Sequence, residues 1–250
     1  MPNALVFRPD YEVLTRYVSR YIEAYVIGSA KELGFTVTDL YKERANSSNF
    51  LNSIYNQDVV IFGTHGLDDT LFGQNGEIVL FSCLNDDALS GKICFALACR
   101  TATKLGHTAV DKGCRCYFGW LQDFVVIIDE SYKDPLQDPY AGSFLRPVIN
   151  GMNIMMTSFI YGKEIKEIAE DVYSTVIDSF NAEIQHWREV DSTTASQMLT
   201  YLYWDRNHFI PIFKEEVYVP TPVYVGTTIK GLFAVAAILI PLMVTKKPHF

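Results

Sequence analysis

Three short apolar runs, none with a polar face, constrain the fold of this chain more than any other feature. They cover Asp58–Gly63, Lys92–Ala98 and Cys116–Trp120. A strand that is apolar along its length fits a sheet covered on both faces, which is typical of parallel sheets. Segments with helical spacing of apolar residues alternate with these runs. The pattern predicts an α/β fold, a three-layer sandwich whose mostly parallel sheet carries helices on both faces.

Helical periodicity is clearest in two segments. The first lies between a predicted N-cap at Pro9-Asp10 and Gly34, and the second covers 165–187. The other predicted elements are shorter: strands at Ala4–Phe7 and Phe35–Thr38, helices at Phe50–Tyr55 and Thr194–Tyr203, a hairpin turn at Asn75-Gly76, a linker at Ser131–Ser143 and an apolar edge segment at Phe209–Ile212.

The charge balance excludes some classes of function. Of 250 residues, 29 are acidic and 21 are basic, which gives a net charge of −8. Nucleic-acid binding relies on Lys and Arg to neutralise phosphates, so we expect no nucleic-acid partner. A chain with 49% hydrophobic residues is too apolar to be disordered, and its length allows a full core.

The five cysteines, Cys83, Cys94, Cys99, Cys114 and Cys116, lie within one third of the chain. Their odd number and clustering argue against a disulfide framework and indicate a reducing, cytoplasmic compartment. A zinc site is the competing interpretation, but the chain has no Cys-x-x-Cys pair. We expect no metal and no cofactor. We also expect Cys83, Cys94 and Cys116 to be buried and Cys114 to be exposed.

The C-terminal region is almost entirely apolar. Residues 231–244 are glycine, proline or apolar, and Lys246 and Lys247 follow closely. Extension back to Tyr224 gives enough helix to cross a hydrocarbon core of about 30 Å. We therefore predict a folded domain at 1–222 and a segment at 223–250 that anchors the chain in a membrane through residues 228–245. A helix or strand buried in a soluble core is the alternative.

Two of the predicted strands end in residues that can do chemistry. One is followed by His65-Gly66 and the other by Cys99. If these strands are neighbours, both side chains emerge at the carboxyl edge of the sheet, where ligands bind in such folds. The imidazole would favour the thiolate form of Cys99, and the N–H groups of Gly66 and Cys99 could hold an oxyanion. A structural histidine and an inert buried cysteine are the alternative.

The same segments resemble the caspase-like cysteine peptidases, among them caspases, metacaspases, legumain, clostripain, gingipain and the bacterial CHAT proteases. The resemblance rests on VVIFGTHG (59–66), ICFALACRTATKLG (93–106) and GCRCYFGW (113–120). It implies a caspase-hemoglobinase-like fold, with Cys99 as nucleophile, His65 as general acid/base, and Gly66 with Cys99 as oxyanion hole. Leu97 and Thr101 depart from the caspase pattern, which favours the CHAT-like or gingipain-like branch.

In this family the segment after the next strand shapes the pocket for the residue before the scissile bond. The resemblance therefore implies substrate-binding roles for Trp120 and Asp123, the latter as a partner for a substrate Arg or Lys. A solvated loop carboxylate is the alternative for Asp123, and simple packing is the alternative for Trp120.

These observations predict a cysteine endopeptidase that cleaves protein or peptide substrates, has a possible activating partner and is tethered to a membrane by its C-terminal segment. The first alternative is a catalytically silent caspase-like module that binds a partner. The second is a membrane effector whose hydrophobic tail acts on the bilayer.

Overall fold

A six-stranded sheet forms the centre of the molecule. The computed structural model describes residues 1–190 and 192–214, and the backbone of residues 245–246. The strands, in chain order, are β1 (Asn3–Arg8), β2 (Thr36–Tyr41), β3 (Val59–Gly63), β4 (Gly66–Leu67), β5 (Thr70–Phe72), β6 (Ile78–Phe81), β7 (Ile93–Leu97), β8 (Cys116–Trp120), β9 (Ile127–Ile128), β10 (Phe209–Ile212) and β11 (Thr245–Lys246).

The order across this sheet is β10-β8-β7-β3-β1-β2. All pairs are parallel except β10–β8, which is antiparallel. The apolar runs noted in the sequence form the three central strands β3, β7 and β8, and every residue of these strands is buried. Pro211 lies in β10 at the edge of the sheet, a position where a missing N–H is tolerated.

Helices cover both faces of the sheet. They are α1 (Val13–Ile22), α2 (Gly28–Glu32), α3 (Ser47–Ser53), α4 (Leu105–Asp111), α5 (Pro139–Ile160), α6 (Ile165–Arg188) and α7 (Thr193–His208). Alternate strand residues face opposite layers: Val59 packs in the core with α1, α5, α6 and α7, whereas Val60 packs in the core with α3 and α4. The predicted α/β three-layer fold is confirmed.

The first helix starts later than the sequence indicates. Its N-cap is Glu12, not Pro9-Asp10, because Glu12 accepts the Thr15 N–H in a reciprocal capping box. A π-helical turn, Glu23–Ile27, joins α1 to α2, so the predicted helix runs on to residue 32.

Helix α5 is the largest element that the sequence analysis leaves out. Its polar residues Arg146, Asn150, Asn153 and Thr157 recur at helical spacing along one side, so the sequence does carry a signal for this helix, although Pro147 lies inside it. It begins at Pro139, capped by Asp138, and Ser143 is buried in it. The predicted linker at Ser131–Ser143 is therefore too long, because its last five residues form the start of α5.

The predicted hairpin and the predicted burial of the cysteines have different outcomes. The predicted hairpin is confirmed: β5 and β6 pair antiparallel, and Asn75 and Gly76 both have the positive φ that a type I′ turn requires. The expected burial is wrong for two cysteines, because Cys83 is exposed in the turn after β6 and Cys114 is buried.

Most of the predicted C-terminal segment, 223–250, lies outside the described residues. Thr245, the last residue of the proposed anchor range, belongs to β11, which pairs in parallel with β9. Among the helices at 1–190 and 192–214, none is long and apolar enough to cross a membrane.

Candidate active site

Strand register brings His65 and Cys99 to the same edge of the sheet. Strands β3 and β7 are parallel neighbours, and Gly63 pairs with Leu97 at their carboxyl ends. His65 and Cys99 each follow two residues later. Both line a cavity of about 20 Å³, which is room for about one water molecule. The structure thus brings together the two residues that the sequence analysis selected.

Glu12 is a third member of this site. Its Oε1 lies 3.1 Å from Nε2 of His65 and also accepts the Thr15 N–H at 2.7 Å. Burial acts to raise the pKa of Glu12, but the hydrogen bonds from His65 and from the backbone lower it to about 2. Glu12 is therefore a carboxylate at neutral pH. Because it contacts Nε2, it leaves Nδ1 as the ring nitrogen for other partners.

The Cys99 thiol is covered. The residue is 4% exposed, and its Sγ lies 3.9 Å from the backbone carbonyl oxygen of Phe124. Burial raises the pKa of the thiol to about 12, and the nearby carboxyl groups of Asp123 and Asp205 act in the same direction. The thiolate that the sequence analysis expects is therefore not the resting form of Cys99 in this conformation.

Gly66 lies directly against the backbone around Cys99. A Cβ at Gly66 would lie 2.6 Å from Cγ2 of Thr101 and 2.7 Å from the carbonyl oxygen of Cys99. Only glycine fits at such distances, so the residue permits the close approach of the two strand ends. The two predicted contributors to an oxyanion hole are adjacent, and their role as donors stays a prediction.

The predicted substrate-binding residues have different surroundings. Trp120 is fully buried, packs against Phe124 at 4.8 Å between ring centroids, and donates its Nε1–H to the Asp205 carbonyl. This placement matches the packing alternative in this conformation, and the substrate-binding role of Trp120 stays a prediction. Asp123 remains partly exposed at the surface of the site.

Asp123 already has a cationic partner. Its Oδ1 lies 3.0 Å from Nε of Arg100, which also lies 3.6 Å from Oδ1 of Asp68. Arg100 follows Cys99 directly and has a φ of +57°, a left-handed conformation that is uncommon for a residue with a side chain. Two carboxylates therefore share one guanidinium beside the covered thiol.

Within the described part of the chain, no group of three or more His, Cys, Asp or Glu side chains has an arrangement that could hold a metal ion.

The sequence analysis missed Glu12. Its signal was available: Glu12 precedes the apolar stripe of α1 and has a threonine three residues later, the reciprocal form of a capping box. What the sequence could not show is that β1 pairs with β3, which places the start of α1 beside His65.

Comparisons with known proteins identify similar solved structures. No family model matches the sequence, and no curated protein matches it significantly. The crystal structure of the Arg-specific cysteine proteinase gingipain R is similar with a TM-score of 0.47 and 12% sequence identity. The match covers 84% of this chain but only 45% of the gingipain R chain. A likeness at this level carries no information about activity.

Proposed function

We propose that the protein is a cysteine endopeptidase in which Cys99 is the nucleophile and His65 the general acid/base. The observation that supports this most strongly is that Cys99 and His65 line one cavity at the carboxyl edge of the sheet, while the ionised Glu12 contacts His65. A nucleophile, a base and a group that orients the base are the parts that acyl transfer requires.

The reaction follows from these positions. Nδ1 of His65 takes the proton of Cys99, and the thiolate sulfur attacks the peptide carbonyl carbon. The C–N bond breaks, His65 returns the proton to the leaving amine, and a thioester remains. Water, deprotonated by His65, then hydrolyses the thioester and restores the thiol. Glu12 stabilises the imidazolium that forms in both stages, and the N–H groups of Gly66 and Cys99 would hold the oxyanion.

The substrate is a protein or peptide with a basic residue before the scissile bond. Asp68 and Asp123 together exceed the charge of Arg100 by one unit, so the surface beside Cys99 favours a cation. A substrate Arg or Lys would share or displace Arg100 at Asp123.

Attack also needs access to the Cys99 thiol, and this residue is 4% exposed. Binding of an activating partner is one way to supply that access.

The C-terminal tail supports a proposal about location. The apolar tail at 228–245 would hold the catalytic domain at a membrane surface, and the five free cysteines favour the reducing, cytoplasmic side.

The burial of Cys99 favours one rival function, a catalytically silent module that binds a partner. A thiol with a raised pKa under a phenylalanine carbonyl is a poor nucleophile. An electrophilic peptide probe separates the two functions, because the exposed Cys83 reports general thiol reactivity in the same molecule. Labelling at Cys83 without any at Cys99 would support the silent module.

A peptide-library digest tests the peptidase. We expect slow cleavage by the wild-type protein, because its Cys99 is only 4% exposed, and none by Cys99→Ala. Cys83→Ala, a matched removal of a thiol outside the site, should cleave as the wild type does. His65→Ala should lose at least about 100-fold in rate, the ordinary contribution of general acid–base catalysis. Equal cleavage by the wild type and Cys99→Ala would contradict the proposal.

A further inference from the structure

The loop that follows β8, residues 121–126, closes the candidate active site, and we call it the covering loop. Its Phe124 is 4% exposed, forms part of the cavity wall and places its carbonyl oxygen over Cys99 Sγ. Only 4% of the surface of Cys99 is exposed, so a peptide carbonyl carbon cannot reach the sulfur in this conformation. A substrate can reach the sulfur only when the covering loop moves.

The last turn of α7, residues 204–208, holds the covering loop in place. Three hydrogen bonds connect them: the Leu121 N–H donates to the His208 carbonyl at 2.9 Å, the Trp204 Nε1–H donates to the Asp123 carbonyl at 2.9 Å, and the Val125 N–H donates to Asp205 Oδ1 at 3.0 Å. The bonds reach the start, middle and end of the loop. This turn is itself fixed to the sheet, because Trp120 donates its Nε1–H to the Asp205 carbonyl.

Asp205 is the central residue of this arrangement. It is fully buried, and its Oδ2 has no hydrogen-bond partner among the described residues. Burial raises the pKa of its carboxyl group well above the usual range. A buried carboxyl group with an oxygen that lacks a hydrogen-bond partner contributes little to core stability. Its other oxygen accepts the N–H of Val125, the loop residue that follows Phe124.

We propose that the last turn of α7 is a latch that keeps Cys99 closed to substrates, and that activation consists of its release from the covering loop. The proposal concerns regulation of the site assigned above. It rests on the proposed function, because closing the thiol regulates activity only if the thiol is the nucleophile. Access to the Cys99 thiol can be measured whether or not the protein cleaves peptides.

The five cysteines make the test internally controlled. Each is alkylated with iodoacetamide in the folded, full-length chain, and the rates are read by peptide mass spectrometry. Cys83 is exposed and reports intrinsic reactivity. Cys94, Cys114 and Cys116 are buried away from the covering loop and react only if the domain unfolds.

Two substitutions release the latch. Trp204→Phe removes the Nε1–H donor but keeps an aromatic ring, and Asp205→Ala removes the acceptor for Val125. We expect the double variant to alkylate Cys99 at least tenfold faster than the wild type, with Cys83 unchanged and the three buried thiols unmodified. Trp187→Phe is the control, because it removes an indole bond of the same length, to Ser143 at 2.9 Å, from helix α6 and leaves the three bonds to the covering loop in place.

An unchanged Cys99 rate in the double variant, or wild-type alkylation of Cys99 as fast as that of Cys83, would overturn the proposal. If the double variant exposes the three buried thiols, Trp204→Phe alone decides: at least threefold faster alkylation supports the latch, and an unchanged rate contradicts it. Peptide cleavage by the same variants separates the two proposals. Faster alkylation without cleavage refutes the peptidase but not the latch, whereas wild-type cleavage with unchanged alkylation refutes only the latch.

Discussion

Replacement of Glu12 by glutamine tests the site at the contact that the sequence analysis did not anticipate. Glu12→Gln removes the negative charge 3.1 Å from His65 Nε2 but keeps a side-chain oxygen that can still accept the Thr15 N–H. If Glu12 stabilises the imidazolium that forms when Cys99 gives up its proton, the chemical step must slow. If Glu12 only caps α1, activity should be unaffected.

The size of the effect follows from the exposure of the two side chains. A hydrogen bond to a charged group contributes about 1.5–3 kcal/mol in general. The side chains of Glu12 and His65 are 36% and 21% exposed, so water screens part of this contribution. We therefore expect a loss of about 1–2 kcal/mol of transition-state stabilisation, which corresponds to a decrease of about 5- to 30-fold in kcat/KM.

The assay is hydrolysis of a fluorogenic peptide selected from the library digest, followed for the wild type, Glu12→Gln and Glu12→Asp. Because the change acts after binding, kcat should fall while KM changes little. Urea denaturation runs alongside, so that the change in unfolding free energy is measured separately from the change in kcat. A kcat/KM equal to that of the wild type, in a variant that is still folded, would falsify the role assigned to Glu12.

Three further predictions concern Gly66, the pH dependence of stability through Glu12, and the C-terminal tail. Gly66→Ala should reduce kcat/KM at least about tenfold and destabilise the fold by about 1–3 kcal/mol in urea, because its Cβ would lie 2.7 Å from the Cys99 carbonyl oxygen; wild-type behaviour would contradict the close approach. Since the pKa of Glu12 is lowered from 4.5 to about 2, its contribution to stability is fully present above pH 4.5 and is lost as the pH falls towards 2. The stability difference between the wild type and Glu12→Gln should therefore shrink over that range, and a constant difference would rule out this linkage. Finally, the full-length chain should stay with membranes after a carbonate wash, whereas a chain truncated after Pro222 should be released; full-length protein in the soluble fraction would remove the anchor.

Most of the fold could be predicted from local patterns. The continuous apolar runs of β3, β7 and β8 indicate strands buried on both faces, and the stripe at 165–187 indicates α6, because burial is the dominant constraint on these elements. Helix α5 has a comparable polar stripe, but Pro147 and two glycines lie within it, and these residues oppose a helix when only local preferences are considered.

By itself, the sequence determined that this chain forms an α/β sandwich and that His65 and Cys99 follow two of its strands, because hydrophobic pattern and residue order are local properties. Only the tertiary structure decided that these strands are neighbours in register, that β1 brings Glu12 to His65, and that Trp120 faces the core. The state of Cys99 was decided there too. Burial raises the pKa of its thiol, and the carbonyl of Phe124 covers it, and both effects exist only when distant parts of the chain are packed together.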